Sequence, residues 1–390
     1  MGRSTRRVAI GILVLSVTCL SYGAGAVVAQ RATPGGCPAT TPAQNAALVR
    51  QWYLDVYNGR RTGLIPALLA PTYVRHRPGA QVANLPGPAD DVRFVQLVLT
   101  EFPDLHVTVN DMIAAGDEVA VRSTFAGTQR APLPDQGGAP ATGRRMVRDN
   151  MAIWRVSCGR LAEQWIVSDF LTELRQLGII TDDELHSVGA PSVATPVLGA
   201  APSAAPFPLA TPANSSAAQA SPAASCPTTT PAQNAALVRR WFAEVWNGRQ
   251  LALADRLLAD NVIFHFPGRP ALNPRTQPPR NARDVGRIEE YFVTFPDLHI
   301  TVDDLIAAGD RVAVRLTLRG TQRGPLTDLG VPATGRRAQW PAIAIFRVQC
   351  GQIAEQWITS DDLSLLEQLG AISAAELTTV GPPDVATPAP

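Results

Sequence analysis

The chain is one text written twice. The stretch Phe102–Gly178 reads FPDLHVTV, IAAGDEVAVRSTFAGTQR, PATGRR, IWRV-CG-LAEQWIVSD and QLG. It returns over Phe295–Gly370 as FPDLHITV, IAAGDRVAVRLTLRGTQR, PATGRR, IFRV-CG-IAEQWITSD and QLG. Cys158 and Cys350 stand 192 residues apart, as do Asp169 and Asp361. Upstream, Asn45 and Asn234 stand 189 apart, as do His76 and His265. The offset changes between the histidine and FPDL, which marks a loop there, since loops tolerate insertion. Such a period is too long for a solenoid repeat and fits a whole domain plus a linker.

Two domains follow, over 37–189 and 226–381. Between them, 190–225 has no charged residue and is dominated by Ala, Pro, Ser and Thr, a composition that reads as an extended spacer. Each domain opens with an amphipathic helix. Ala46, Val49, Trp52, Tyr53 and Val56 recur at helical spacing, as do Val238, Trp241, Phe242 and Val245, and Asn-Gly ends each run. A short second helix is expected over Leu64–Leu69 and Leu251–Leu258. A brief strand carries Tyr73–His76 or Val262–His265. A third helix, over Ala89–Phe102 and Ala282–Phe295, stops at a proline that cannot continue it.

Beyond FPDL the period changes to two. Val119, Val121, Ser123 and Phe125 share one face, and Arg122 and Thr124 the other; Val312, Val314, Leu316 and Leu318 oppose Arg315, Thr317 and Arg319. Such alternation predicts antiparallel strands with one face on a core. Gly116-Asp117 and Gly309-Asp310 mark turns, and Ser157-Cys158-Gly159 marks a hairpin. A last short helix, Leu171–Leu177, ends at Gly178. Three helices before a long curved sheet make an α+β domain, present twice.

The first residues are basic, no charge follows from Val8 to Gln30, and AGAVVAQ supplies small residues. This pattern reads as a secretory signal peptide over 1–29, cut after Ala26 or Ala29. The competing reading is an uncleaved anchor, because the uncharged run is long enough to span a bilayer. A secreted or extracytoplasmic protein meets an oxidising compartment, and the cysteines agree with that. Cys37, Cys158, Cys226 and Cys350 allow three pairings. The duplication favours Cys37–Cys158 and Cys226–Cys350, since an ancestral single domain would have carried its own pair. Metal ligation has little support: no CxxC and no histidine cluster accompanies them, so no metal site is expected.

Formal net charge is +1, and no basic patch for nucleic acid stands out. All 34 basic residues are arginine. Without lysine there is no Schiff-base chemistry and no P-loop lysine. No Gly-rich dinucleotide motif, HExxH or nucleophile elbow is present.

The ordered blocks FPDL, GD-VAVR-T, GT, P-TGRR, FRV-G, E-W, D and QLG resemble the SnoaL-like polyketide cyclase (ester cyclase) family, of the nuclear-transport-factor-2-like superfamily. The resemblance spans each repeat nearly end to end. It implies two tandem cone-shaped α+β barrels, each with three N-terminal helices on a curved antiparallel sheet. It also implies intramolecular aldol chemistry without metal or organic cofactor, with an acidic residue before the C-terminal helix as acid–base. Here that residue is Asp169 in the first copy and Asp361 in the second. An aldol needs a base beside a carbonyl and an acid for the new alkoxide, and burial in an apolar cone raises a carboxyl pKa towards neutrality. The same aspartates also fit as helix caps.

His76 and His265 match a histidine common after the second helix of the family. It is expected to orient a substrate carbonyl or the aspartate, or else to be satisfied at a strand end. Trp165 and Trp357 precede the acid by four residues, and Arg122 and Arg315 lie on the sheet. They are candidate ligand contacts, against core packing for the tryptophans and pairing with Asp111 and Asp304 for the arginines. Gln164 and Gln356, with Gln129 and Gln322, stand where relatives often carry histidine. Glutamine hydrogen-bonds but cannot shuttle a proton at neutral pH. Two functions from different classes therefore stand: a cofactor-independent cyclase on a small apolar carbonyl compound, or a non-catalytic secreted module binding a hydrophobic ligand or a protein. Single domains of the superfamily commonly pair through their sheets, so an internal pseudo-dimer is expected. No membrane contact is expected beyond the N-terminal segment.

Overall fold

The computed structural model describes residues 36–37, 39–77, 87–134, 138–180, 226, 228–267 and 286–372. The expected signal segment 1–29, the expected spacer 190–225 and the outer ends of both domains lie outside the described residues.

In the first domain the elements are α1 (Pro42–Gln51), α2 (Ile65–Leu68), β1 (Leu69–His76), α3 (Pro88–Glu101), β2 (His106–Ala115), β3 (Glu118–Thr128), β4 (Arg145–Ser157), β5 (Arg160–Ser168) and α4 (Phe170–Leu177). The second domain repeats them as α5 (Pro231–Arg240), α6 (Ala254–Leu257), β6 (Leu258–His265), α7 (Gly286–Thr294), β7 (His299–Ala308), β8 (Arg311–Thr321), β9 (Arg337–Gln349), β10 (Gln352–Ser360) and α8 (Asp362–Leu369). The sheet orders are β1-β5-β4-β3-β2 and β6-β10-β9-β8-β7. Strands β2 to β5 and β7 to β10 pair antiparallel, while β1 and β6 join the edge in parallel.

Local sequence explains the helix starts. Thr41-Pro-Ala-Gln44 is a capping box: the Thr41 hydroxyl accepts from the Gln44 backbone N–H, and the Gln44 side chain accepts from Thr41 N–H at 2.8 Å. Thr230 and Gln233 repeat it, and proline at the first helical turn costs no bond in either copy. Past Gln51 the helix widens into a π turn over Trp52–Asn58, which Gly59 ends. Asn58 then acts like a strand partner, donating to Val107 C=O at 2.8 Å and accepting from Val107 N–H at 2.7 Å. Asn247 and Ile300 repeat this pair. Cys158 and Gly159 both take positive φ, the two-residue turn that matches strand twist.

Alternation along β3 sorts its side chains onto two faces. Val119, Val121 and Phe125 pack under the domain's own helices with Trp52, Tyr53, Tyr73 and Trp154. Ala120 points the other way, into a cluster drawn from both domains: Ile113, Met151, Ile153 and Val167 with Ile306, Ala313, Ile343 and Ile345. Arg311 of the second sheet pairs with Asp111 of the first at 3.1 Å. Disulfides join Cys37 to Cys158 and Cys226 to Cys350, with Cα atoms 5.1 and 5.2 Å apart. Each ties the chain just before the first helix to the β4–β5 or β9–β10 hairpin. Among the described residues, no helix is long and apolar enough to cross a membrane.

Candidate active site

Asp169 ends β5 and caps α4. Its backbone N–H donates to Asp149 C=O at 3.1 Å, and its Oδ1 accepts from Thr172 N–H at 3.1 Å. Its other oxygen, Oδ2, is buried without a hydrogen-bond partner. Asp361 repeats the arrangement, with Oδ1 on Ser364 N–H at 3.1 Å and a buried, unpartnered Oδ2. Capping and an unpartnered carboxylate oxygen thus coexist in one side chain. Burial raises the pKa of Asp169; the Thr172 bonds and Arg148 pull against it, and Asp149 adds to it. Burial pushes Asp361 up to about 6, against the Ser364 bond alone.

His76 goes elsewhere. Its ring bonds to Glu163 Oε1 at 2.7 Å and stacks on Trp165, centroids 4.9 Å apart and planes 6° from parallel. Glu163 also holds Arg155. Burial opposes the charge on Glu163, but Arg155 and His76 outweigh it and lower its pKa. His265, Glu355, Arg347 and Trp357 repeat the arrangement, with 2.8 Å to Glu355 and a 4.9 Å stack on Trp357. Trp165 and Trp357 pack against the cluster shared by the two sheets, and each receives an arginine of the opposite domain: Arg315 at 4.9 Å and Arg122 at 5.0 Å. Of the alternatives left open by the sequence, His76 and His265 are each held by a glutamate at a strand end, and the tryptophans and arginines pack between the sheets. The two-residue period places His76, Trp165 and Arg122 on the sheet face away from the helices, and Asp169 caps α4 with Glu163, not Asp169, on the histidine. Arg122 lies across the ladder from Asp111, and Arg315 pairs with Asp303 at 3.6 Å, rather than with Asp304.

Gln164 faces the helices, accepting from Tyr73 Oη at 3.0 Å. Gln356 is buried at the same position of β10. Gln129 clamps a loop: it donates to the carbonyls of Ala131 and Pro140 and accepts from the backbone and hydroxyl of Thr142. Gln322 does the same for Pro332 and Thr334. These bonds suit an amide, with its separate donor and acceptor ends, better than an imidazole.

The interior of the first domain holds polar residues that the shared motifs do not reveal. Arg75 pairs with Asp91 at 3.0 Å, both nearly fully buried. Arg148 pairs with Glu173, and its guanidinium lies 5.2 Å from the Phe125 ring and 4.7 Å from that of Phe170. Ser168 donates to Asn150 Oδ1. The sequence signal for this set is difference between the copies rather than identity, because Arg75, Arg148, Asn150 and Glu173 stand where the second copy has Phe264, Trp340, Ala342 and Leu365. Among the described residues no group of His, Cys, Asp and Glu is placed to hold a metal ion.

Two five-stranded curved sheets, each carrying its own N-terminal helices, define a tandem pair of nuclear-transport-factor-2-like α+β domains. The chain belongs to the SnoaL-like polyketide cyclase family, whose sequence profile matches residues 47–177 and 236–369. Similar solved structures include TsrD from Streptomyces laurentii, at 30% identity and TM-score 0.31 over 37% of this chain and 99% of that one. Wild-type IdmH from Streptomyces antibioticus is similar at 30% identity and TM-score 0.31, over 35% and 99%. A SnoaL-like polyketide cyclase from Agrobacterium tumefaciens matches at 19% identity and TM-score 0.28, over 34% and 95%. No curated protein matches the sequence.

Proposed function

We propose that the protein is an exported, cofactor-independent cyclase that closes a ring in a small, largely apolar carbonyl compound by an intramolecular aldol reaction. The observation that carries this reading is the buried aspartate of each domain, with one oxygen committed to a helix cap and the other unpartnered. Ionised, Asp169 takes a proton from the carbon beside one carbonyl. The resulting enolate carbon bonds to a second carbonyl carbon of the same molecule. The alkoxide so formed takes the proton back from the Asp169 carboxylic acid, leaving no net change in charge or redox state. A carboxyl pKa moved towards neutrality suits both halves of the cycle. His76 and His265 sit on Glu163 and Glu355, so the aspartates carry the proton transfer in this mechanism.

The first half-reaction has its own assay, deuterium uptake at the methyl group of an aryl methyl ketone such as 2-acetylnaphthalene in heavy water. Wild-type protein is expected to accelerate uptake. Asp169→Asn should lose about 10²-fold or more of that acceleration, the scale of general-base help, and Asp361→Asn should retain at least part of it. Undiminished exchange in the double variant removes the enzyme reading. The second reading, a non-catalytic secreted binding module, then stands. It is favoured by the four glutamines at family histidine positions, two of which are engaged at both amide ends by their loops.

A further inference from the structure

The two interiors have diverged in one direction. Among the described residues, the first domain buries the charged residues Arg75, Asp91, Glu101, Arg148, Asp169 and Glu173, whereas the second buries only Asp361. Where the first has Arg148 and Asn150 on β4, the second has Trp340 and Ala342 on β9. Trp340 packs on Phe295 at 5.2 Å, and Leu365 in the place of Glu173 joins the same apolar cluster. A buried ion pair is costly to assemble, and an apolar replacement of similar volume is often neutral or stabilising. Keeping Arg148–Glu173 in one copy while the other has gone apolar is therefore informative.

Five buried side-chain polar atoms among the described residues of the first domain lack a partner, and three of them, Arg148 Nε, Asn150 Nδ2 and Asp169 Oδ2, belong to residues on β4 and at the β5–α4 corner. Their residues are 8%, 1% and 5% exposed. They lie on adjoining elements. Arg148 and Asn150 share a face of β4, two residues apart. Asn150 lies opposite Ser168 in the ladder and accepts its hydroxyl. Asp169 follows Ser168 and caps α4, the helix whose Glu173 holds Arg148. The other ends of the two donors are fixed, Arg148 by Glu173 and Asn150 by Ser168, so their free N–H groups are held in place. Two N–H donors beside one carboxylate oxygen match a carbonyl group with an acidic C–H next to it. The oxygen accepts from Arg148 Nε and Asn150 Nδ2, the C–H faces Asp169, and both donors strengthen as the oxygen becomes an enolate.

We propose that Arg148 and Asn150 are the oxygen-holding pair of this protein. The first domain alone is thereby equipped for an enolisable ketone, and the second, with Trp340 and Ala342 in their places, serves as its packing partner. This rests on the acid–base role given to Asp169, but its test does not. Binding is compared for 2-acetylnaphthalene and for 2-isopropenylnaphthalene, which replaces the carbonyl by a like-shaped alkene, using the full chain carrying Asp169→Asn so that nothing is turned over. One ketone site per chain is expected, with at least about a tenfold preference over the alkene, as an unmet buried donor implies.

Asn150→Ala, and separately Arg148→Met with Glu173→Leu, which keeps the interior free of an unpaired charge, should each shrink the preference to about twofold. Thermal melting of each variant confirms the fold. Absence of saturable ketone binding, two equivalent sites per chain, or an unchanged preference in either folded variant overturns the proposal. Loss of exchange activity in Asp169→Asn is read separately, so a failure of the acid–base reading is told apart from a failure of the oxygen-holding pair.

Discussion

A single glutamate shows how a duplicated surface loses its symmetry. Glu118 and Arg311 occupy corresponding positions in the two copies, as do Asp111 and Asp304. On one side the result is the Arg311–Asp111 ion pair. On the other, Glu118 meets a carboxylate. Burial first, then the charge of Asp304 and a hydrogen bond shared with it, then Asp117, push Glu118 up to about 8 against the pull of Arg155. The folded pKa lies above the unfolded value of 4.5, so the native state holds an extra proton between the two. Stability from this group is complete below 4.5 and is lost as pH rises through 8. Glu118→Gln keeps a hydrogen bond without the charge. It should raise the melting temperature by roughly 2–4 °C at pH 8, the equivalent of about 1 kcal/mol, with no gain at pH 4. An equal shift at both pH values, or none at pH 8, contradicts the assignment.

At the scale of elements, the disulfide joins the β4–β5 hairpin to the start of α1. Cys37–Cys158 closes a loop of 121 residues. Replacing both cysteines with serine should cost about 5 kcal/mol in the chain-entropy account. Urea unfolding of the oxidised parent and the variant measures it, and coincident curves would deny the bond its role. Much of this framework is legible in the sequence. The two-residue period of β3, the Pro-stopped helices and the Asn-Gly and Cys-Gly turns are local, and each places its element. Three features depend on distant chain and stay hidden. The π turn over Trp52–Asn58 goes with the burial of Trp52 and Tyr53, the parallel seat of β1 is set by β5, and β5 supplies the glutamate that holds His76.

The candidate site divides along the same line. Asp169 and Asp361 are visible because both copies keep them ahead of the last helix. Arg148, Asn150 and Glu173 are invisible to a search for shared residues, because the second copy replaced all three. Alternation correctly sets Arg122 opposite Val121, but only the second sheet supplies Trp357 to cover it.

At the scale of the whole molecule, the duplication supplies each sheet with a partner from the same chain. Ile113, Ile153 and Val167 meet Ile306, Ile343 and Ile345, Arg122 crosses to Trp357, and Arg315 crosses to Trp165. Fully burying side chains of this size contributes about 1.5–3 kcal/mol each, and the 36-residue spacer over 190–225 is long enough to reach between the domains. We infer that the chain is a monomer built as an internal pseudo-dimer, with one polar interior and one apolar interior back to back across the sheets. Small-angle scattering on the full chain, with mass from the forward intensity, tests this most directly. The account predicts the mass of one chain and a single compact particle. A two-lobed elongated profile, or the mass of two chains, would contradict it.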